Sequence, residues 1–230
     1  SDRFEIEDPS RRLDSSAGID FMTRFSLFHV GWEHRFDERT EVEFDLQYGL
    51  VRYDVGASTS LTALLHQVHG RAELTHRATQ HVSLGAGVDV SVTPFRFHFS
   101  GETLRQREGA TPEAMGTSGR VSADQEWTTA NRPAAFIEST FDFPVVRVTL
   151  GLRTDYDSLI RRWNLDPRMN VALRMGPGWQ MRGGVGLFSQ PPELEESSRV
   201  LGNPDLDWVH SMHSSLGFQY QPSEGNLRVS

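Results

Sequence analysis

Apolar and polar side chains alternate with a period of two along most of the chain, a pattern that strands satisfy and that helices, with a repeat near 3.6, do not. The stretch EVEFDLQYGLVRYDVG at 41–56 sets Val42, Phe44, Leu46, Tyr48 and Leu50 against Glu41, Glu43, Asp45 and Gln47. In HVSLGAGVDVSV the even positions from Val82 to Val92 are apolar and Ser83, Gly85, Gly87, Asp89 and Ser91 oppose them. About ten such runs are expected, starting near 19, 41, 64, 82, 135, 146, 169, 179, 212 and 227. The first run changes phase, from Phe21, Phe25 and Leu27 to Val30, Trp32, His34 and Phe36, which predicts a β-bulge. After Pro94 the phase passes to Phe95, Phe97 and Phe99, where a broken ladder is expected.

The connections are expected to alternate in length. Tight turns fall at 37–39, 77–80, Pro144, 176–178 and 222–226, and longer polar loops at about 55–63, 100–131, 156–167 and 189–208. Strict alternation sends every long loop from one rim of an up-and-down sheet and every short turn from the other. Bacterial outer-membrane barrels have that asymmetry.

Alternation alone also fits a soluble β-sandwich, so the medium on the apolar side has to be argued. The apolar faces of the central stretches carry almost no charge, and an Arg there would cost roughly 2 to 4 kcal/mol at the middle of a bilayer. Aromatic residues gather near strand ends, at Trp32, Phe36, Phe141, Phe143, Trp179, Phe218 and Tyr220, as in an interfacial girdle. About ten consecutive strands closing with others into a wide barrel would leave inward apolar residues facing a void; pointing them at lipid removes the difficulty. No stretch approaches the ~18 to 20 apolar residues of a spanning helix, so a membrane role falls to strands.

Composition removes other classes. The net charge of −8 argues against a nucleic-acid partner. There is no cysteine, hence no thiolate nucleophile, disulfide or cysteine-ligated metal, and all 23 basic residues are arginine, hence no Schiff-base lysine. His66 and His69, like His210 and His213, stand three apart, a spacing that puts two strand side chains on opposite faces and prevents chelation of one ion. Asp155, Asp157 and Ser158 lack a histidine nearby in sequence. No catalytic residue, metal site or cofactor is expected.

Residues 163–222 carry a more specific pattern: Pro167 and Arg168 at a strand start, a tight turn, a glycine-rich strand from Gly184 to Phe188 followed by Pro191, Gly-Asn-Pro-Asp-Leu at 202–206, and a returning strand with Leu216 and Gly217. This combination resembles the barrel of TonB-dependent outer-membrane receptors, and LGLRTDYDS at 150–158 resembles the strand that precedes it there. The resemblance implies an all-β, antiparallel up-and-down transmembrane barrel of about 22 strands, of which residues 1–230 are a contiguous fragment of one barrel domain without its plug. It further implies a receptor and transporter, not an enzyme, in the bacterial outer membrane. Its partners would be outer-membrane lipid, TonB acting through the absent plug, and a large scarce solute such as a metal chelate (a siderophore complex), vitamin or oligosaccharide. A passive porin and a soluble β-sandwich binding module are the alternatives.

Two sets of residues follow. Glu41, Glu43, Asp45, Arg71, Glu73, Asp89, Glu138, Arg147, Arg153, Arg174 and Arg182 are expected to face the lumen, where cross-strand ion pairs and plug contacts would engage them. Arg105, Arg107, Trp127, Trp163 and Trp208 are expected in extracellular loops as first contacts for the solute, because guanidinium forks and amphipathic rings dominate recognition surfaces.

Overall fold

A computed structural model describes residues 2–6, 19–56, 60–103, 119–197 and 202–220. The described strands are β1 (Asp2–Ile6), β2 (Ile19–Arg35), β3 (Thr40–Gly56), β4 (Ser60–Arg77), β5 (Val82–Thr103), β6 (Gly119–Asp142), β7 (Val146–Asp157), β8 (Arg162–Gly176), β9 (Trp179–Gln190) and β10 (Val209–Tyr220). They form one sheet in sequence order, each antiparallel to the next. The expected runs from 19 to 212 correspond to β2–β10. The run near Leu227 and the turn at 222–226 lie outside the described residues, and β1 was not anticipated because five residues are too few to display a period.

Pairing fixes which residues share a face. Phe28, Val30 and Trp32 stand opposite Tyr48, Leu46 and Phe44, and these in turn opposite Val68, Gly70 and Ala72. The same apolar face continues through Val88 and Val90, Ile137, Leu150 and Leu152, Met169, Val185, and Met212 and Leu216. Large side chains there stand open, with Val88 50% and Leu216 70% exposed. A water-soluble fold does not leave so extensive an apolar surface uncovered. No described helix is long and apolar enough to cross a membrane.

Two local expectations are corrected. The β2–β3 register runs without interruption from Asp20↔Gly56 to Arg35↔Glu41, so β2 contains no bulge. Phe25 and Leu27 instead lie on the face shared by His29, Glu33 and Arg35; the apolar signal changes sides while the strand does not. Pro94 does not break β5, which stays paired to β4 with Leu65↔Phe95 directly beyond Val68↔Val92. The irregularity belongs to β6, where Glu126 and Trp127 together oppose Arg96, between Phe97↔Gln125 and Phe95↔Thr128. That extra residue is a β-bulge.

The connections also depart from the expected lengths. The region 55–63 is strand up to Gly56 and again from Ser60, 100–131 is strand up to Thr103 and again from Gly119, and 156–167 shrinks to the turn 158–161. Polar sequence at this rim is therefore largely strand. β5 has 22 residues where a tilted crossing needs about 9 to 11. The surplus continues the ladder outside the bilayer, since backbone hydrogen bonds are satisfied equally well in either medium and outward residues simply become polar. At the opposite rim Asp37 Oδ1 accepts the backbone N–H groups of Arg39 and Thr40, both at 2.7 Å, and Gly176 (φ 132°) and Gly178 (φ 77°) supply left-handed backbone for the β8–β9 turn.

Candidate functional site

The face opposite the apolar one gathers charge. By register Glu43, Asp45, Arg71, Glu73, Asp89, Glu138, Arg147, Arg153, Arg174 and Arg182 all fall on it, as does Glu41. At its centre Asp89 on β5 is only 5% exposed. The Arg71 Nη1 donates to both of its carboxylate oxygens at 3.3 Å, Arg153 Nη1 makes a closer bond, and His69 Nε2 stands 3.8 Å away. Each arginine holds a second acid on its own strand: Arg71 to Glu73 at 2.6 Å and Arg153 to Asp155 at 2.8 Å. The result is a chain of alternating charge from β4 to β7.

Small residues make this reach possible. Ala134 on β6 lies between Asp89 and Asp155 in the register, so no bulk separates Arg153 from Asp89. Gly87 faces Phe136, whose ring is 7% exposed and carries the Arg71 guanidinium at 4.5 Å from its centroid. A Cβ on Gly87 would stand 2.4 Å from the Phe136 Cζ and 2.6 Å from the Ala72 carbonyl oxygen, so the ring occupies the space that the glycine leaves. Phe136 is a member of this site that the alternation did not reveal. The pairing of an in-phase aromatic with a glycine one strand away was the available signal.

Toward the short-turn rim, Arg168 reaches across β7 to Glu138 at 3.1 Å, over Gly151. Asp142 binds both Arg147 and Arg174, the latter at 3.0 Å, and Arg174 Nη1 also donates to the Phe143 carbonyl at 2.6 Å. Arg182 donates to Gln180 at 2.8 Å, and His29 bonds Asp45 at 2.8 Å. Glu33, Glu41 and Glu43 cluster beside Arg35, which binds Glu41 at 2.9 Å.

Toward the other rim the same face turns apolar. Phe95, Phe97 and Ala130 are buried against Leu61, Ala63 and Leu65 of β4 and against Leu159 and Leu194 of the connections. The clamp that holds those connections down is Arg132, whose Nε donates to Asp157 at 2.6 Å and whose Nη2 donates to the Pro192 carbonyl at 3.0 Å. Asp157 is 1% exposed and also accepts the Leu159 N–H at 2.7 Å. Asp155, Asp157 and the Ser158 hydroxyl, which accepts the Asn131 N–H at 2.8 Å, are thus all engaged in holding the wall together.

The residues expected in ligand-contacting loops are dispersed. Arg105 and Arg107 lie outside the described residues. Trp127 is on β6 and Trp163 on β8, both on the apolar face, Trp127 beside His66 at 5.5 Å between ring centroids and Trp163 beside Tyr156 at 5.0 Å. Trp208 is on the 191–208 connection but 7% exposed, with its indole N–H donating to the Arg162 carbonyl at 3.4 Å. Trp127 and Trp163 stand on strands and not in loops because those strands continue beyond the bilayer. His66 bonds the Tyr48 hydroxyl on the apolar face while His69 faces Asp89, and His210 bonds Ser189 while His213 packs on Phe188.

The family model described as TonB dependent receptor-like, beta-barrel matches residues 4–230. Among solved structures, the copper transporter OprC aligns at TM-score 0.64 and 15% identity over 89% of this chain and 37% of its own. The siderophore receptor PirA from Pseudomonas aeruginosa aligns at 0.60 and 16% over 90% and 40%. The ferric citrate transporter FecA aligns at 0.57 and 11% over 88% and 33%. This chain thus spans between a third and two fifths of those proteins, and at such identities the likeness is one of fold. No curated protein sequence matches the chain.

Proposed function

Since the chain belongs to the TonB-dependent receptor β-barrel family, a family of bacterial outer-membrane transporters and receptors, we propose that the protein it belongs to takes up a large, scarce solute with energy delivered by TonB through a plug. The charged face then lines the barrel interior, where a plug and passing solute would meet it, and the apolar face meets lipid. The solute class is a metal chelate ahead of a vitamin or oligosaccharide, in keeping with the copper, siderophore and ferric citrate proteins that share the fold.

The observation that carries this reading is the sorting of the two faces. An open apolar surface backs a wall whose central Asp89 is buried among arginines from two other strands. A wall of this kind keeps its charges compensated before any cargo arrives, so cargo need not supply a counter-charge. Catalysis has no place in the scheme, since every step is binding and displacement.

The test is uptake by whole cells. Accumulation of metal from a panel of chelates is measured in a strain lacking the full-length gene, in the complemented strain, and in the complemented strain lacking TonB. The expected result is one chelate whose uptake needs both genes. Uptake that survives loss of TonB refutes energy coupling and favours the passive porin.

A further inference from the structure

The outer wall of the sheet carries a cleft of about 730 Å³ just beyond the apolar band, on the rim where β5 and β6 extend farthest. Its titratable lining is Arg52, Arg96, His98, Asp124 and Glu126, and Trp127 forms one side. Seven of its ten lining residues lie on the apolar, lipid-side face, the exceptions being Phe97 and Gln125 of the inner face and the bulge residue Glu126, so the cleft opens mainly outward.

Three features give the cleft a chemistry. First, Arg24, Arg52, Leu64 and Arg96 form one cross-strand row over β2–β5, and each arginine is the first charged outward residue after the apolar band on its strand. Carboxylates come one outward position later at Asp54 on β3 and Asp124 on β6, and the bulge residue Glu126 stands opposite Arg96 itself. On β2, β3 and β5 the first charge beyond the apolar band is therefore positive.

Second, the partners are unequally assigned. Arg52 binds Asp54 at 2.7 Å and His98 binds Asp124, whereas Arg96 makes no ion pair among the described residues and lies over the Trp127 ring at 5.0 Å from its centroid. The bulge at Glu126 and Trp127 is the device that aims the indole at Arg96. A guanidinium stacked on an indole is held in place with its N–H edge free, the arrangement that grips a phosphate bidentately. Third, a chain of rings leads to the cleft across the outer surface: Phe28 to Tyr48 at 6.4 Å, Tyr48 to His66 at 6.1 Å and His66 to Trp127 at 5.5 Å. Such a belt marks the depth of the headgroup layer.

We infer that this cleft binds the phosphate-bearing headgroup of an outer-leaflet lipid, with Arg96 on Trp127 as the principal phosphate contact and Arg52 and Arg24 as secondary ones. The occupant is a lipid, and not free phosphate, because the cleft is continuous with the surface that acyl chains cover. Occupancy fixes the depth and rotation of the barrel against its own membrane.

The test uses the full-length receptor, delipidated in nonionic detergent and read by native mass spectrometry. It is titrated with bisphosphorylated lipid A, with the same lipid after dephosphorylation, and with the bisphosphorylated form in the presence of inorganic phosphate. The phosphorylated lipid is expected to bind roughly tenfold or more tightly than the dephosphorylated one, the scale of one charge-assisted hydrogen bond. Arg96→Gln should lose most of that difference, whereas Arg39→Gln, on the opposite rim, should keep it. Equal binding of the two lipids overturns the inference, as does an unaffected Arg96→Gln. Displacement by inorganic phosphate at equal concentration shows a free-anion site and overturns it too. The ligand series on the unaltered receptor decides the matter even if the variant fails to assemble.

Discussion

Replacing Asp89 by Asn removes one negative charge from beneath two guanidiniums while keeping the side chain's shape. Removing one partner of a fully buried ion pair costs about 3 to 5 kcal/mol, because the other charge is left without compensation. Here the arginines are not fully buried: the Arg71 and Arg153 side chains are 38% and 33% exposed, against 8% for Asp89. Each also retains an acid of its own, Glu73 or Asp155. Water and these acids recover roughly half of the penalty, which leaves a loss of about 2 kcal/mol. The assay is urea unfolding of the full-length receptor in lipid bilayers, followed by tryptophan fluorescence, for Asp89→Asn, Arg153→Gln and the double variant. The double variant should lose less than the sum of the singles by about 1 kcal/mol, since the second substitution removes a charge that the first has stranded. A change within about 0.5 kcal/mol for Asp89→Asn, the range of ordinary surface substitutions, refutes the network as a structural element. Strict additivity refutes the pairing with Arg153.

Val88→Arg separates the two media for the apolar face. Val88 is 50% exposed between Ala72 and Ala135, so in water the change is close to neutral, whereas in hydrocarbon it costs about 2 to 4 kcal/mol; bilayer unfolding against the control Gln47→Arg on the charged face reads the difference, and a neutral Val88→Arg removes lipid from that face. The β2–β3 turn should respond to acid. Backbone N–H bonds from Arg39 and Thr40 hold the Asp37 carboxyl below its ordinary range, so its stabilisation is complete above the ordinary carboxylate pKa near 3.9 and is lost as pH falls through the lowered folded value. Exchange of the Arg39 and Thr40 amides, corrected for intrinsic rates, should accelerate over that window in the natural protein and show no such step in Asp37→Asn; an identical profile in both excludes the carboxylate as the cause.

The strands from β2 to β10, their order and the division of their faces were legible because each of those signals is a period, and a period survives any tertiary context that keeps one side wet and the other apolar. Strand ends are not legible, since the apolar half of the period-2 signal stops where lipid stops and suggests that the strand stops there too. On β3 it does not: Arg52 and Asp54 keep the outward phase of Leu50, with water replacing lipid. The same confusion assigned Trp127 and Trp163 to loops. On β5 the mistake took another form, because Phe95 and Phe97 read as a change of strand phase when they mark a change of what lies inside the wall.

That reversal on β5 has a physical basis that ties the fold to its use. Within the bilayer the inner face meets water and charged surfaces, so apolar side chains belong outside. Past the bilayer the outer face meets water, and apolar side chains gain only by turning inward, where Leu159 and Leu194 cover Phe95 and Phe97. One strand can serve both regions without a bulge of its own, because exchanging which alternate positions are apolar costs nothing in backbone pairing. The level at which the exchange happens, between Val92 and Phe95 on β5 and between Leu50 and Val51 on β3, is therefore a depth gauge written in the sequence. The outward arginines Arg52 and Arg96 stand at that same level. Interior packing and headgroup contact are two consequences of a single boundary, the surface where hydrocarbon ends.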